Sequence, residues 1–213
     1  MSPEAARIHA ALPQTQCTRC GFPDCAAYAE AIAGGEAEIN QCPPGGATGV
    51  ARLAAITGRP ALPLNPANGA EGPRALAVID ENWCIGCTLC IDVCPTDAIL
   101  GTNKRMHTVI DPYCTGCELC VPACPVDCIS MENVTGAATG WDAWSPALAA
   151  EALDRYEWRK TRLAREAREN EERLEAKARE KLANLPALTR GVDTERKRSV
   201  IEAALARARA KRP

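Results

Sequence analysis

The stretch from Cys84 to Cys128 reads CIGCTLCIDVCPTDAILGTNKRMHTVIDPYCTGCELCVPACPVDC. It contains one pattern twice, C-x2-C-x2-C-x3-C-P, at an offset of 30 residues. Nine of the sixteen positions from Cys84 to Ile99 are identical to their partners, so the run is an internal repeat. Beyond the cysteines, the matches are Gly86/Gly116, Leu89/Leu119, Pro95/Pro125, Asp97/Asp127 and Ile99/Ile129. Gly86 and Gly116 let the backbone turn tightly between cysteines. Pro95 and Pro125 lack an N–H and end each run sharply.

Three cysteines at two-residue spacing, with a fourth before proline, form the ligand run of a bacterial two-cluster ferredoxin. In that pattern the fourth cysteine ligates the other cluster. The spacing therefore assigns Cys84, Cys87, Cys90 and Cys124 to one [4Fe–4S] cluster, and Cys114, Cys117, Cys120 and Cys94 to a second. Zinc takes four ligands, usually as two pairs, and fits two triplets less well. Disulfides fit poorly too, since the cysteine count is odd and no secretory signal precedes the motif. So small a unit builds little apolar core, and its clusters must supply folding energy. Trp83 and Tyr113 precede the first cysteine of each copy and are expected to shield a cluster face. Cys128 has Ala98 as its repeat partner, so it reads as a buried free thiol.

Working back toward the N-terminus, Ala75–Asp80 reads as a strand entering this domain. Between the repeats, 100–110 should hold a hairpin with Met106, Val109 and Ile110 on strands and His107 as a strand or turn histidine. Residues 59–74 are rich in Pro, Gly and Asn and read as a linker. Ahead of it, Cys17, Cys20, Cys25 and Cys42 have the spacing C-x2-C-x4-C-x16-C. Four cysteines without a histidine suit a third [4Fe–4S] cluster, and a structural zinc site is the alternative. Helices are expected over 3–12, with Pro3 in the first turn, Ile8 and Leu12 on one face and His9 at the surface or half-buried. Asp24 should cap another helix reaching Ala33, stopped by Gly34 and Gly35. A third, 46–57, ends at Gly58 and offers Val50, Leu53, Ala54 and Ile56 for packing.

Toward the C-terminus the composition changes. Ser145-Pro146 starts a long helix to about Leu185, and Thr194 caps another to about Ala210. The apolar positions Leu148, Ala152, Tyr156, Leu163, Ala167 and Leu174 are too sparse for a coiled coil. In the second helix, Ile201, Ala204, Leu205 and Ala208 form a stripe. Residues 146–213 carry 18 Lys+Arg and 12 Asp+Glu, whereas 1–145 carry 7 and 15. The cysteine-bearing part is acidic, a charge that steers docking to basic partners. The tail reads as a solvated charged helix, a partner-docking helix, or a nucleic-acid or anionic-membrane contact through Arg207, Arg209, Lys211 and Arg212. Its mixed charges weaken the last reading.

The expected fold is α+β: a helical four-cysteine module at 1–58, the 59–74 linker, a two-cluster ferredoxin domain at 75–135 and a charged helical tail at 145–213. No apolar run reaches the 18–20 residues or so needed to span a bilayer. A cytoplasmic location follows, where thiols stay reduced. No nucleophile–base motif, P-loop or Gly-rich dinucleotide turn is present, so the chain is expected to carry electrons without a catalytic site of its own. An iron–sulfur redox sensor with a basic DNA- or partner-binding tail is the competing reading.

The run LPQTQCTRCGFPDC, with AYAEAIA and CPPGG, joined to the dicluster repeat with its MHTVI and CPVDCI segments, resembles the B subunit of Rnf/Rsx-type electron transport complexes. The resemblance covers about residues 8–132. It implies cluster ligation by Cys17, Cys20, Cys25 and Cys42 and by the eight ferredoxin cysteines. It also implies redox protein partners, a flavoprotein or membrane oxidoreductase complex, and electron flow between ferredoxin and NAD coupled to ion movement. Proteins of that family start with a membrane helix that this sequence is expected to lack, which suggests a peripheral position on the inner face of the membrane.

The crossed assignment makes a direct prediction. Cys94→Ser should damage the cluster of Cys114, Cys117 and Cys120 and not that of the nearer triplet, as read by EPR of the reduced protein.

Overall fold

The computed structural model describes the backbone of residues 1–188 and 192–210, and side chains outside 186–192 and 208–213. Two compact units emerge, Met1–Arg159 and Lys160–Pro213.

The first unit opens with three helices. Helix α1 spans Pro3–Ala11, capped by the Ser2 side chain and carrying Pro3 in its first turn. Asp24 accepts from the Ala27 N–H and starts α2, Cys25–Ala33, which Gly34 ends. Helix α3, Gly46–Thr57, stops at Gly58 in the left-handed conformation. Ile8, Leu12, Tyr28, Ile32, Ile39, Val50 and Leu53 are buried together, with Ala54 and Ile56 against them. His9 is half-buried. These helices follow the expected bounds because caps and stops are local chemistry.

Residues 59–74 take a fixed course over this core. Asn65 N–H donates to the Asn40 carbonyl at 2.9 Å, and Asn68 donates to the Arg19 carbonyl at 2.9 Å. Glu71 accepts from the Ala47 N–H at 2.8 Å and the Thr139 hydroxyl at 2.7 Å.

The dicluster half is built on two small antiparallel pairs. Strand β1, Ala75–Ile79, pairs with β4, Ile129–Asn133, in the register Ala77↔Met131 and Ile79↔Ile129. Strand β2, Ile99–Leu100, pairs with β3, Thr108–Val109, in the register Ile99↔Val109. Shifting by the repeat offset converts one pairing into the other. The hairpin is shorter than expected: Val109 lies on β3, while Met106 and Ile110 fall just outside it. Between the pairs, the short helix α4 spans Leu89–Val93.

The repeat is also written in the backbone. Thr88 and Glu118 share φ near 69° and 65°, and Asp97 and Asp127 share 50°. Gly86 and Gly116 have φ of 67° and 70°. A Cβ at Gly86 would lie 2.5 Å from the Arg105 backbone, and one at Gly116 would lie 2.4 Å from the Ala75 carbonyl oxygen. Arg105 and Ala75 are themselves one repeat apart. Both glycines are thus needed for conformation and for space.

Helix α5, Gly140–Ala143, leads into α6, Pro146–Leu188. The Leu148 N–H donates to Ser145 Oγ at 3.2 Å, the cap expected from Ser145-Pro146. The first turns of α6 pack on the first unit: Ala149 and Ala152 are buried with Trp144. Farther along, Leu163 and Leu174 are exposed, and Arg162–Glu166 and Arg179–Glu175 pair along the helix. Such pairs contribute only about 0.3–0.5 kcal/mol each. In the second unit, Leu185 of α6 and Leu205 of α7, Val192–Ala210, are buried, with Ile201 half-buried and Ala204 exposed. The side chains of Ala208 and Arg209, and all of Lys211 and Arg212, lie outside the described residues.

Gly116→Ala should cost about 2–4 kcal/mol, combining left-handed strain with a backbone shift. Gly136→Ala, at φ 61° in open space, should cost only about 1 kcal/mol. Urea unfolding of the cluster-loaded protein followed by far-UV circular dichroism compares them.

Candidate metal centres

In the N-terminal half, the loop before Cys17 is held in an unusual course. Gln14, Gln16 and Thr18 all have positive φ, at 58°, 52° and 60°. Such conformations persist only where surrounding bonds fix them. Here the buried side chains of Gln14 and Gln16 do so. Gln14 donates to the His9 carbonyl at 2.5 Å, Gln16 donates to Gln14 Oε1 at 3.0 Å, and Gln16 Oε1 accepts from the Cys25 N–H at 2.9 Å. The loop is thereby tied to the end of α1 and the start of α2. On the return segment, Tyr28 donates to the Glu38 carbonyl at 2.7 Å and accepts from the Gln41 N–H at 3.0 Å. That pair fixes the approach to Cys42.

The structure brings Cys17, Cys20, Cys25 and Cys42 within range of one another's charge. Burial pushes the Cys25 thiol up to about 12, against the Gln16 contact, and the neighbouring Cys17 and Cys20 add to the rise. Cys42 is raised well above its ordinary value by burial, then by Cys25 and Cys17. Cys20 is raised by burial as well, with Cys17 contributing. Cys20, Cys25 and Cys42 cannot all ionise together unless positive charge is placed among them. A metal centre supplies that charge, so the donor set fits one.

The dicluster half repeats this logic. Cys94, Cys114, Cys117 and Cys120 line one small cavity together, although Cys94 comes from the other copy of the repeat. Burial pushes Cys117 up to about 12, with Cys94, Cys120 and Cys114 adding to it. Burial likewise raises Cys120 to about 12, followed by Cys114 and Cys94. In the other set, burial raises Cys90 to about 11, with Cys87 and Cys84 contributing. Cys124 Sγ lies 3.4 Å from Cys128 Sγ, and Cys84 is among the groups that raise the Cys128 thiol. Among the described residues no three His, Cys, Asp or Glu side chains converge on a single ion position. A cluster that meets each thiolate through a separate iron needs no such convergence.

Backbone N–H groups point at the sulfurs. Ala98 N–H donates to Cys94 Sγ at 3.2 Å, and its repeat partner Cys128 donates to Cys124 Sγ at 3.4 Å. His107 N–H donates to Cys84 Sγ at 3.3 Å.

Sequence reasoning missed two sulfur contacts. His107 is buried, and its Nδ1 lies 3.2 Å from Cys90 Sγ. Cys128 is buried as expected, but its Sγ lies 3.4 Å from Cys124 Sγ. Burial, then contact with Cys124, pushes the Cys128 thiol up to about 12. Burial acts to raise Cys124 too, but the Val126 and Cys128 N–H groups and the Cys128 thiol outweigh it and lower Cys124 overall. A signal for His107 existed in the repeat: its partner is Ala77, and Gly101, beside it, has Met131 as partner.

The expected shielding by the aromatic residues is corrected for Trp83, which is 69 % exposed. Tyr113 is half-buried, with the Arg155 guanidinium 3.3 Å above its ring. The difference arises from packing. Arg155 of helix α6 lies over Tyr113, whereas most of Trp83 stands at the surface.

The two cysteine-bearing halves dock at the Cys114 loop. The buried Thr115 hydroxyl donates to the Thr15 carbonyl at 3.1 Å, and Arg19 pairs with Glu118 at 2.7 Å. Arg74 donates to the Cys114 carbonyl at 2.8 Å, and Trp144 donates to the Pro13 carbonyl at 2.8 Å. Helix α6 clasps both halves: Tyr156 donates to Asp24 at 3.1 Å, Arg155 to the Thr96 carbonyl at 2.9 Å, and Arg159 pairs with Asp97 at 3.3 Å.

Comparison with known proteins agrees with this geometry. Residues 77–131 match the 4Fe-4S dicluster domain family, and residues 12–44 match the family described as "Putative Fe-S cluster". No solved structure matches the chain at a significant level. Buried cysteine sets and both matches define an iron–sulfur protein of electron-transfer type. Over 135 residues the chain is 62 % identical to the B subunit of the ion-translocating oxidoreductase complex of Azoarcus sp. (strain BH72), covering 63 % of this chain and 74 % of that protein. The proteins of the same name from Thiobacillus denitrificans (strain ATCC 25259 / T1) and Haemophilus influenzae (strain PittEE) are 60 % and 52 % identical over 109 residues each. Those matches cover 51 % of this chain and 58 % and 54 % of the relatives. The chain belongs to this B-subunit family.

Gln16→Ala strands the Cys25 N–H and should destabilise the N-terminal loop by about 1–3 kcal/mol. Iron content should fall by the share of that site, with the dicluster EPR signal retained.

Proposed function

We propose that this chain is an electron relay with three [4Fe–4S] clusters. The first is held by Cys17, Cys20, Cys25 and Cys42, the second by Cys114, Cys117, Cys120 and Cys94, and the third by Cys84, Cys87, Cys90 and Cys124. Each bound cluster supplies a site that gains and loses one electron, at a potential set by its thiolates and their hydrogen bonds.

One observation carries the reading: the N-terminal cysteine loop packs directly on a ferredoxin ligand loop. Thr15 lies two residues before Cys17, Thr115 follows Cys114, and the two are joined by a buried hydrogen bond. That junction supports an order in which the Cys114 set stands between the N-terminal set and the Cys84 set. The protein's part is to fix these spacings and to exclude water at the junction. At the far end, Trp83, Ile85 and Leu89 around the Cys84 loop are exposed, at 69 %, 58 % and 45 %. That end is open to a redox partner.

The relatives are named as components of ion-translocating oxidoreductase complexes. By that kinship the chain passes low-potential electrons between ferredoxin- and NAD-linked partners within such a membrane complex. Among the described residues no helix is long and apolar enough to cross a membrane, so attachment through this part of the chain would be peripheral.

Anaerobically purified protein should contain about twelve iron and twelve acid-labile sulfide per chain, four of each per cluster. About eight of each, with zinc present, would make the N-terminal site structural and break the relay. Stopped-flow mixing with a reduced small ferredoxin should bleach the cluster absorbance; no electron uptake would sink the low-potential assignment.

A further inference from the structure

The two copies of the repeat differ in the side chains that reach sulfur, and both differences fall on one proposed ligand set. His107 stands where the other copy has Ala77, and Cys128 stands where the other copy has Ala98. His107 Nδ1 is 3.2 Å from Cys90 Sγ, and Cys128 Sγ is 3.4 Å from Cys124 Sγ. Cys90 and Cys124 belong to the same set, with Cys84 and Cys87. The Cys114 set has no comparable side-chain contact among the described residues. The Thr96 hydroxyl, 4.0 Å from Cys94 Sγ, donates to the Tyr113 carbonyl at 2.8 Å instead.

An iron-bound thiolate carries no proton, so in both contacts it can only accept. His107 must then hold its proton on Nδ1, and Cys128 must donate its S–H. The imidazole is buried, and its Nε2 has no hydrogen-bond partner among the described residues. The ring is therefore placed for its Nδ1 contact alone. Room for it is made by Gly101, where a Cβ would lie 2.0 Å from the His107 ring. The other copy fills the same volume differently, with Ala77 facing Met131 across the strand pair. Gly101 with His107 and Met131 with Ala77 are two packings of one space, and only the first carries a donor.

Adding one electron to a cluster increases the negative charge on its thiolate sulfurs, and no proton need move. Donors aimed at those sulfurs stabilise the reduced form more than the oxidised form and raise the potential. We infer that His107 and Cys128 are positioning residues that make the Cys84–Cys87–Cys90–Cys124 cluster the higher-potential member of the pair, so that the electron rests at the exposed end of the ferredoxin half. This rests on the ligand sets proposed above.

The test is an EPR-monitored redox titration of the anaerobic full chain, with Cys94→Ser used to assign the signal of the Cys114 set. Cys128→Ala copies Ala98, and the double variant Gly101→Met/His107→Ala copies the packing of the other half, so neither leaves a large void. Both should move the midpoint of the Cys84-set cluster to more negative potential and leave the other cluster unchanged. His107→Asn, which keeps an N–H near the Nδ1 position, should hold the midpoint near wild type. Unmoved midpoints in both variants, or equal shifts of both clusters, would overturn the inference with the ligand sets intact. If Cys94→Ser instead removed the signal of the Cys84 set, the ligand sets themselves would be wrong and the inference would fall with them.

Discussion

Burying many thiols within reach of one another's charge is the constraint on which the rest of this protein depends. Burial raises Cys25, Cys90, Cys117 and Cys120, and each is raised further by its neighbours. Without positive charge among them, such sets stay protonated or repel. With a metal centre bound, the same burial becomes an asset, because it strengthens the interaction of cluster and thiolate and keeps water away. Little else in the dicluster half could hold it together. Its strand pairs are short, and cysteines make up more than half of the residues in its buried core.

The repeat supplies this half economically. Paired left-handed residues at Thr88 and Glu118, and at Asp97 and Asp127, place both loops alike. The close approaches of Gly86 to Arg105 and of Gly116 to Ala75 are one contact made twice. Symmetry of that kind leaves the two cysteine runs nearly equivalent. Their differences come from outside the ligand pattern, at His107 and Cys128, and from what each loop packs against. The Cys114 loop is covered by the N-terminal half, whereas the Cys84 loop exposes Ile85 and Leu89.

Helix α6 does more than form a charged tail. Arg155, Tyr156 and Arg159 reach both halves of the first unit within little more than one turn. Arg155 also covers Tyr113 beside Cys114. In the sequence Tyr156 stood out only as a sparse apolar position and Arg155 and Arg159 not at all, and from Leu163 to Leu174 the helix is solvated.

The sequence by itself determined the cysteine spacing, the repeat, the helix caps at Asp24 and Ser145, and the stops at Gly34 and Gly58. These are short-range facts: a ligand run needs fixed spacing, and a cap acts within one turn. Family kinship was also legible, because the motifs from about residue 8 to residue 132 are specific in combination. The tertiary structure alone decided that 59–74 is pinned along its length, that Trp83 is bare while Tyr113 is covered, and that His107 meets Cys90. Each depends on which surfaces meet, and residues such as Thr15 and Thr115, 100 positions apart, carry no local mark of their partner. His107 shows the boundary most clearly. Its difference from Ala77 was visible in the chain, but only the strand register brings it beside Gly101 and over the Cys90 sulfur.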